Sequence, residues 1–334
     1  MQKLSITVIG YGSEETPSTR YRYLEMEPLL LAKGITLKFV YKKDIVTHLV
    51  NLYSPLYQCD ALIVQKCLFC KKIARKIYQL PQPIFFDLDD AIWTRPEKPY
   101  NFFTRFKVKS RLHYALKNAT ATIVANSFLY QYVSPYAKKI YQVNMSLKNI
   151  DRIKKTPPFG NQKWAIGWLG SPRNLSYLYQ WEKPLGIFLE AHPSVSLKVY
   201  CGKAPEWGIP HSHIPYTPDG EAAFLDSINV GLLPLPDEIY SRGKSPIKAI
   251  HYIASGIPVI ANIYGATADI LNRQNAISVD SDQSIVDALK RLKNEPDLAT
   301  QLGRSGQSHF QQHYTATRVA NQLTQIISTH LPPF

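Results

Sequence analysis

The chain is poor in cysteine, with four among 334 residues, at Cys59, Cys67, Cys70 and Cys201. Cys67 and Cys70 form a C-x-x-C pair. Neither a second pair nor a histidine cluster completes the four ligands of a structural zinc site. We therefore expect reduced thiols buried in the core and no bound metal.

Long apolar runs are also missing. No stretch reaches the roughly 20 apolar residues that span a bilayer. The first residues, 1–9, form a short strand pattern without the long apolar region of a signal peptide. We expect a cytoplasmic protein, with peripheral attachment to the inner face of the membrane as an open alternative.

Negative charge is in short supply: 25 acidic residues face 39 basic ones, which leaves a net charge of +14. The excess is concentrated between Arg95 and Lys155, where thirteen lysines and arginines occur with Glu97 and Asp151 as the only acids. Such a concentration predicts an anionic partner, which can be a lipid surface, a phosphorylated substrate or nucleic acid.

Aromatic and basic side chains interleave within residues 98–117 at about the spacing of a helix. This pattern is typical of an interfacial helix on anionic lipid. It also fits a helix whose aromatic face lies in the core and whose lysines lie in water. Aromatic residues beside cations allow base stacking, but no recognised nucleic-acid module is present, so nucleic acid is not the expected partner.

Short apolar strands alternate with amphipathic segments along the whole chain, which is the pattern of parallel sheets covered by helices. The predicted elements include a helix over 20–33 and strands over 61–65 and 230–233. The alternation is interrupted at residues 154–161, where adjacent prolines and a glycine suit a linker. We predict an α/β protein of two doubly wound Rossmann-like domains facing each other across a cleft, with ligands at the carboxyl ends of the strands. The predicted divisions are 1–155, 156–312 and a C-terminal helical segment, 313–334, that returns to the first domain.

The segment 242–261 reads as a basic loop, a helix that stops at Gly256, and a buried strand. Lys244, Ser245 and Lys248 lie at the predicted helix start, where free N–H groups and the positive end of the helix dipole suit a phosphate. The alternative is an ordinary loop with two solvated lysines.

Two other loops in the second half also follow predicted strands. Exposed N–H groups in such loops can hold a diphosphate or shape a wall for a flat base. The residues with these candidate roles are Gly170, Ser171 and Arg173 after one strand, and Gly202 and Lys203 after the next.

The loop after the first strand, residues 10–22, is not a G-x-G-x-x-G fingerprint because Glu15 stands where the third glycine belongs. A nicotinamide or flavin enzyme is therefore not expected. Arg20 and Arg22 are candidates for contacting an anionic acceptor, and the alternative is a helix start with solvated arginines.

Three carboxylates, Asp87, Asp89 and Asp90, crowd the end of an apolar strand. Like charges this close are costly unless they bind a cation, share a proton or accept several hydrogen bonds. They are candidates for a general base that deprotonates a hydroxyl. Helix capping by Asp89 or Asp90, or metal binding by the cluster, are the alternatives.

Taken together, these segments resemble the GT-B glycosyltransferases of the family 4-like group (glycosyl transferases group 1), over nearly the whole chain. The resemblance implies a nucleoside diphosphate sugar as donor on the second domain and a carbohydrate or lipid-linked acceptor on the first. It also implies retention of anomeric configuration and no cofactor. The segments that carry the resemblance are 17–22, 86–90, 166–170, 230–236, 244–248 and 256–259.

One position departs from the family pattern. The glutamate that usually precedes the glycine matching Gly256 by five residues, and holds the donor ribose, is His251 here. The upstream glutamate of the family's pair falls on Gly243, and Glu238 is a candidate to contact the sugar instead. Because imidazole cannot receive two hydroxyls as a carboxylate can, a catalytically degenerate GT-B protein that acts as a binding or scaffolding partner is the alternative function.

The expected reaction moves a sugar from the diphosphate to an acceptor hydroxyl, in the synthesis of a polysaccharide, glycolipid or other glycoconjugate. Lys244 and Lys248 would neutralise the charge that develops on the departing diphosphate, which replaces the role of a divalent metal. The aspartate cluster would orient or deprotonate the acceptor.

Overall fold

The computed structural model describes residues 3–14, 16–96, 99–148, 164–217 and 219–331. The chain divides into two compact units. The first unit comprises Met1–Asn149, Glu238–Ser245 and His313–Phe334, and the second comprises Ile150–Asp237 and Pro246–Gln312. The predicted linker at 154–161 lies outside the described residues.

The elements up to residue 148 are β1 (Leu4–Gly10), α1 (Pro17–Arg22), α2 (Glu27–Leu31), β2 (Ile35–Tyr41), α3 (Ile45–Val50), β3 (Ala61–Gln65), α4 (Lys71–Tyr78), β4 (Ile84–Leu88), α5 (Phe102–Asn118), β5 (Ala121–Val124), α6 (Ser127–Val133) and β6 (Ile140–Gln142). Those beyond residue 164 are β7 (Ala165–Gly170), α7 (Leu175–Tyr179), α8 (Glu182–Ala191), β8 (Ser196–Cys201), β9 (Ser212–Pro215), α9 (Glu221–Asp226), β10 (Val230–Leu233), α10 (Ile239–Gly243), α11 (Ile247–Ala254), β11 (Val259–Ala261), α12 (Thr267–Ile270), β12 (Ala276–Ser278), α13 (Asp282–Asn294), α14 (Pro296–His313) and α15 (Ala316–Ser328). Short 3₁₀ turns occupy Leu24–Met26, Lys42–Asp44 and Pro172–Asn174.

The first unit is built on a six-stranded sheet in the order β2-β1-β3-β4-β5-β6, and all its strand pairs are parallel. Every residue of β3 and β4 is buried, because a parallel sheet is covered by helices on both faces. Helix α15 packs against α2, and Val319 and Leu323 of α15 join the buried cluster under the sheet. The C-terminal helix is therefore part of the first unit's core.

The predicted helix over 20–33 is broken in the structure. It ends at Arg22, a 3₁₀ turn follows at Leu24–Met26, and α2 begins at Glu27. Pro28 stands in the first turn of α2. Because proline has no N–H and its ring clashes with the preceding turn, it begins a new helix here and does not continue the old one.

The second unit has a six-stranded sheet in the order β12-β11-β10-β7-β8-β9, again with parallel pairs. Trp168, Phe188 and Leu289 lie in its buried cluster. Helix α11 gives way after Ser255 to Gly256, whose φ of +67° is a left-handed conformation that glycine adopts without strain. The prediction of a helix stop at Gly256 matches this geometry.

The cysteines are all free, and two of them, Cys67 and Cys201, are buried. Cys70 is exposed at the start of α4, so the expectation of a buried thiol is wrong there. Within the described ranges, no helix combines the length and apolar character needed to cross a membrane. The same ranges contain no group of three or more histidine, cysteine or acidic side chains placed to hold a metal ion.

Candidate functional site

In the first unit, an acidic segment follows β4 and meets Lys66, the residue that follows β3. The Nζ of Lys66 lies 2.9 Å from Oδ1 of Asp89 and 2.7 Å from Oδ2 of Asp90. Ser18, in the first turn of α1, donates a hydrogen bond to the other oxygen of Asp89. Lys66 has a φ of +39°, a left-handed conformation unusual for lysine. The backbone is therefore in an uncommon conformation at the residue whose ammonium group pairs with both carboxylates.

The charges of this cluster shift its pKa values in opposite directions. Burial lowers the pKa of Lys66, but the two carboxylates outweigh burial, so its pKa stands above the ordinary value. Burial raises the pKa of Asp89, and the ammonium of Lys66 with the hydroxyl of Ser18 outweighs it, so its pKa lies below the ordinary value. Asp89 is therefore held ionised and is a weak base. The predicted helix-capping role does not apply, because the next helix, α5, begins at Phe102.

Asp87 and Arg22 form a buried ion pair in the same unit. Arg22 Nη2 lies 2.7 Å from Asp87 Oδ1, and the side chains are 3% and 0% exposed. Tyr23 donates a hydrogen bond of 2.7 Å to Asp87. Arg22 also donates to the carbonyl oxygens of Val143 and Asn144. The expected roles of Arg22 in acceptor binding and of Asp87 in catalysis do not fit this burial, and the pair instead ties α1, β4 and the chain after β6 together.

Arg20, the other arginine predicted to meet an acceptor, is partly exposed. Its Nε donates to Glu25 at 3.0 Å, and its guanidinium lies 4.6 Å from the centre of the Tyr21 ring. With both contacts in place, the Arg20 side chain is still 35% exposed. Arg20 is therefore placed where a ligand can reach it.

Lys244 lies in the first unit, with the acidic segment. Burial lowers its pKa below the ordinary 10.5, and the neighbouring charges include Asp90, which raises it, and Lys66, which lowers it. The segment is held by Asn126, whose Nδ2 donates to Gly243 O at 3.2 Å and to Ser245 Oγ at 2.9 Å. Glu238, the N-cap residue of α10, accepts a hydrogen bond from Ser241. The structure thus brings Lys244 beside Asp90 within one unit.

In the second unit, Lys248 lies at the carboxyl end of β7. Its Nζ is 4.1 Å from the centre of the Trp168 ring, a cation–π contact. A side chain at Gly170 would place its Cβ 2.5 Å from this Nζ and 2.5 Å from the ring. Only glycine therefore fits beside the ammonium group. The absence of a side chain at Gly170 leaves the space that the Lys248 ammonium occupies.

The remaining predicted donor residues lie on neighbouring loops. Ser171 and Arg173 are exposed in and beside the 3₁₀ turn that follows β7 and leads into α7. Gly202 lies next to Pro172. A Cβ atom added to Gly202 would be 3.7 Å from the Pro172 ring, an ordinary contact distance. Lys203 forms an exposed ion pair with Glu206 at 2.8 Å.

His251 is paired with a carboxylate that the sequence did not predict. Its Nδ1 lies 2.5 Å from Oε1 of Glu221, the first residue of α9, and the two side chains are 9% and 14% exposed. A carboxylate from another helix, α9, therefore lies beside position 251.

Sequence reasoning missed Lys66, Glu221 and Ser18. A signal existed for Lys66, because it directly follows a wholly buried strand, and the ends of adjacent parallel strands meet at one edge of a sheet. No comparable signal was available for Glu221, which is thirty residues from His251 in the chain.

Residues 187–325 match the family model described as glycosyl transferase-like. No curated protein matches the sequence. The match covers most of the second unit and ends within α15 of the first.

Several solved structures share the architecture. Sucrose-phosphate synthase from Thermosynechococcus elongatus has a TM-score of 0.72 at 13% identity, over 98% of this chain and 99% of that one. Anabaena HepE in complex with UDP-glucose has a TM-score of 0.67 at 12% identity, over 98% and 100% of the two chains. An α-glucosyltransferase in complex with UDP and DNA has a TM-score of 0.64 at 11% identity, over 98% and 100%.

These likenesses establish the fold. The two units, each with a six-stranded parallel sheet and helices, have the GT-B fold. The glycosyl transferase-like match covers less than half of the chain and shows a likeness of residues 187–325 to that family. The predicted fold is confirmed, and the predicted resemblance to glycosyltransferases agrees with this match.

Proposed function

We propose that this protein is a glycosyltransferase that takes a UDP-sugar as donor and transfers the sugar to a hydroxyl of a carbohydrate or lipid-linked acceptor. The observation that carries the proposal is the position of Lys248, whose ammonium group lies beside Gly170 at the end of β7. An ammonium at the carboxyl end of a parallel strand is suited to a phosphate. Two of the similar structures were solved with UDP or UDP-glucose, which favours uridine as the base.

In the proposed reaction, the bond between the anomeric carbon and the diphosphate oxygen breaks, and a bond to the acceptor oxygen forms. Negative charge develops on the departing diphosphate oxygen as its bond breaks, and this oxygen takes up the proton that the acceptor hydroxyl loses. Lys248 and Lys244, four positions apart in the chain, stabilise that charge. Because these cations supply the positive charge, we propose that transfer does not depend on a divalent metal.

Asp90 is the carboxylate that we propose contacts the acceptor hydroxyl. Its side chain is 24% exposed, whereas those of Asp89 and Asp87 are 5% and 0% exposed. Its Oδ2 is already paired with the ammonium of Lys66 at 2.7 Å. Orientation of the acceptor is therefore the better supported role for Asp90, with Asp89 and Ser18 holding Lys66 and the segment in place. Arg20 remains our proposed contact to an acidic group of the acceptor.

For the donor, we propose that the His251–Glu221 pair contacts the ribose and that Gly202 and Lys203 border the base. Ser171 and Arg173 would contact the diphosphate from the loop after β7, with Ser245 beside Lys244. Glu238 lies close enough to Lys244 to affect its pKa, and it is our proposed contact to a sugar hydroxyl.

A donor screen tests the proposal. A ligand that binds the native state alone raises the melting temperature, so UDP-glucose should stabilise the protein more than GDP- or ADP-glucose does. Release of UDP from UDP-glucose should then fall at least ~100-fold in Lys244→Ala/Lys248→Ala. Unchanged UDP release in the double variant, with folding intact, would refute the assignment of these lysines.

Retention is the stereochemical outcome that we propose from the family resemblance. NMR of the product's anomeric proton tests it directly. If the protein binds the donor but neither hydrolyses it nor transfers its sugar to any tested acceptor, the alternative is favoured. That alternative is a binding or scaffolding function, suggested by His251 in place of the usual glutamate.

A further inference from the structure

The N-terminal part of α5 lies on the surface of the first unit and contributes no buried residue to its core. None of residues 102–111 is buried, and the buried residues of the helix, Leu112, Ala115 and Leu116, all follow them. Phe102, Phe103 and Phe106 are 77%, 82% and 71% exposed. Exposed phenylalanines grouped in two turns of one helix are unusual for a surface that faces only water.

The exposed cations of α5 lie among these rings and have no acidic neighbours in sequence. Arg105, Lys107 and Lys109 are exposed, and the sequence from residue 99 to 148 contains no aspartate or glutamate. For residues 98–117 the sequence left two alternatives, an interfacial helix and a helix whose aromatic face lies in the core. Lys98 lies outside the described residues. The aromatic side chains of the first turns are not in the core.

Helix α4 extends the basic character beside α5. Its four cations, Lys71, Lys72, Arg75 and Lys76, are all exposed, and no acidic residue occurs from 61 to 86. The crossovers from β2 to β3, β3 to β4 and β4 to β5 advance in one direction across the sheet. Right-handed crossovers of this kind place their helices on one face, and α4 packs between α3 and α5.

Helix α3 adds a second apolar group to this face. Val46 and Val50, one turn apart, are 57% and 70% exposed, and Leu52 and Tyr53 after the helix are 71% and 84% exposed. We define the basic face as the exposed side chains of α3, the loop at 51–53, α4 and residues 102–111 of α5. It combines exposed apolar groups at two places with a row of cations between them.

We propose that the basic face binds the surface of a lipid bilayer that contains anionic lipids, with Phe102, Phe103 and Phe106 inserted among the headgroups. Apolar side chains beside lysines and arginines are the combination that anchors a protein in the interface. Each cation near an anionic leaflet adds to the attraction, which falls as salt screens it. The proposal depends on the first unit alone and not on glycosyl transfer.

Vesicle co-sedimentation of the full chain tests it. The protein should bind vesicles of phosphatidylcholine mixed with phosphatidylserine and should bind pure phosphatidylcholine at least about tenfold more weakly, since each basic side chain near the surface contributes. Phe102→Ser/Phe103→Ser/Phe106→Ser should lower binding at least about tenfold at an unchanged melting temperature, because these rings make no core contact. Lys72→Glu/Arg75→Glu/Lys76→Glu should have a similar effect.

Matched controls lie in the second unit. Lys183→Glu/Lys290→Glu/Arg291→Glu changes the net charge equally at exposed positions, and Ile187→Ser removes an apolar side chain that is 49% exposed. Both should bind vesicles as the wild type does, and so should Lys244→Ala/Lys248→Ala. Absence of binding at low salt, equal loss in the charge control, or preference of the basic face for duplex DNA over vesicles of equal phosphate content would overturn the proposal.

Discussion

The ammonium group of Lys248 lies 4.1 Å from the centre of the Trp168 ring. Trp168 is 1% exposed, so the ring is a fixed surface on which a flexible side chain is held. The contact limits the freedom of Lys248 and keeps its charge near the end of β7. A lysine placed in this way loses less entropy when it meets a phosphate than a solvated one.

Gly170→Ala should therefore impair UDP release from UDP-glucose. The new Cβ would lie 2.5 Å from Lys248 Nζ and from the Trp168 ring, so the lysine must move and the ring must shift. We expect a loss of about 1–3 kcal/mol in stability and at least a tenfold fall in kcat, since the displaced charge no longer meets the leaving group. Gly208→Ala is the control, because its Cβ would meet Glu182 Oε1 at 3.8 Å and Gly208 is not among the proposed donor contacts. Equal kinetics in the two variants would contradict the role of Lys248.

Lys244 should set an alkaline limit on activity. Burial lowers its pKa below 10.5, so the ammonium loses its proton at a lower pH than a solvated lysine does. If the charged form stabilises the departing diphosphate, kcat/KM should fall as pH rises through this lowered pKa. In Lys244→Arg the fall should move to higher pH, because guanidinium stays protonated. An alkaline limb at the same pH in wild type and Lys244→Arg would show that another group titrates.

The sheets could be predicted from the sequence because their strands are buried on both faces. Residues 61–65 and 230–233 were predicted as strands from their apolar runs, and β3 and β10 have these bounds. Parallel strands covered by helices give this signal without alternation. The segment from 20 to 33 was predicted as one helix because its apolar spacing is continuous. The prediction overlooked Pro28, which stands in the first turn of a separate helix.

The site could be predicted less well, because its pairs join residues that are distant in the chain. Arg22 and Asp87 are 65 positions apart, and nothing in either motif shows that their charges neutralise each other in the core. The segment 238–245 belongs to the first unit, since α10 packs against α6. Sequence spacing predicted Lys244 and Lys248 as one feature, whereas the division into units falls between them, at Ser245 and Pro246.

The Arg22–Asp87 pair should dominate the stability of the first unit. Arg22→Met leaves the carboxylate of Asp87 buried without its partner, which should cost about 3–5 kcal/mol. Arg20→Met breaks an ion pair in which Arg20 is 35% exposed and should cost about 1 kcal/mol or less. Thermal unfolding followed by circular dichroism measures both. Similar melting temperatures for the two variants would show that the buried pair adds no stability.

Asp89 should make stability depend on acid pH. Its folded-state pKa lies below the ordinary 3.8, so its contribution is complete above about that pH and is lost as pH falls through the lowered value. Asp89→Asn should therefore melt well below the wild type at neutral pH, and the difference should shrink as the pH is lowered beneath 3.8. A difference in melting temperature that is constant with pH would mean that the charge of Asp89 is not what stabilises the cluster.

The Glu221–His251 pair should affect donor binding more than the chemical step. The carboxylate of Glu221, 2.5 Å from Nδ1, holds the imidazole ring in place. Glu221→Gln keeps the shape of the side chain and removes its charge, so the ring should hold the donor less well. We expect a several-fold rise in the KM for UDP-glucose with a smaller change in kcat, because an interaction present in both the bound donor and the transition state changes KM alone. Asp226→Asn on the exposed side of the same helix is the control. If Glu221→Gln instead lowers kcat and leaves KM unchanged, the pair acts in the transition state, and a role in holding the ribose is excluded.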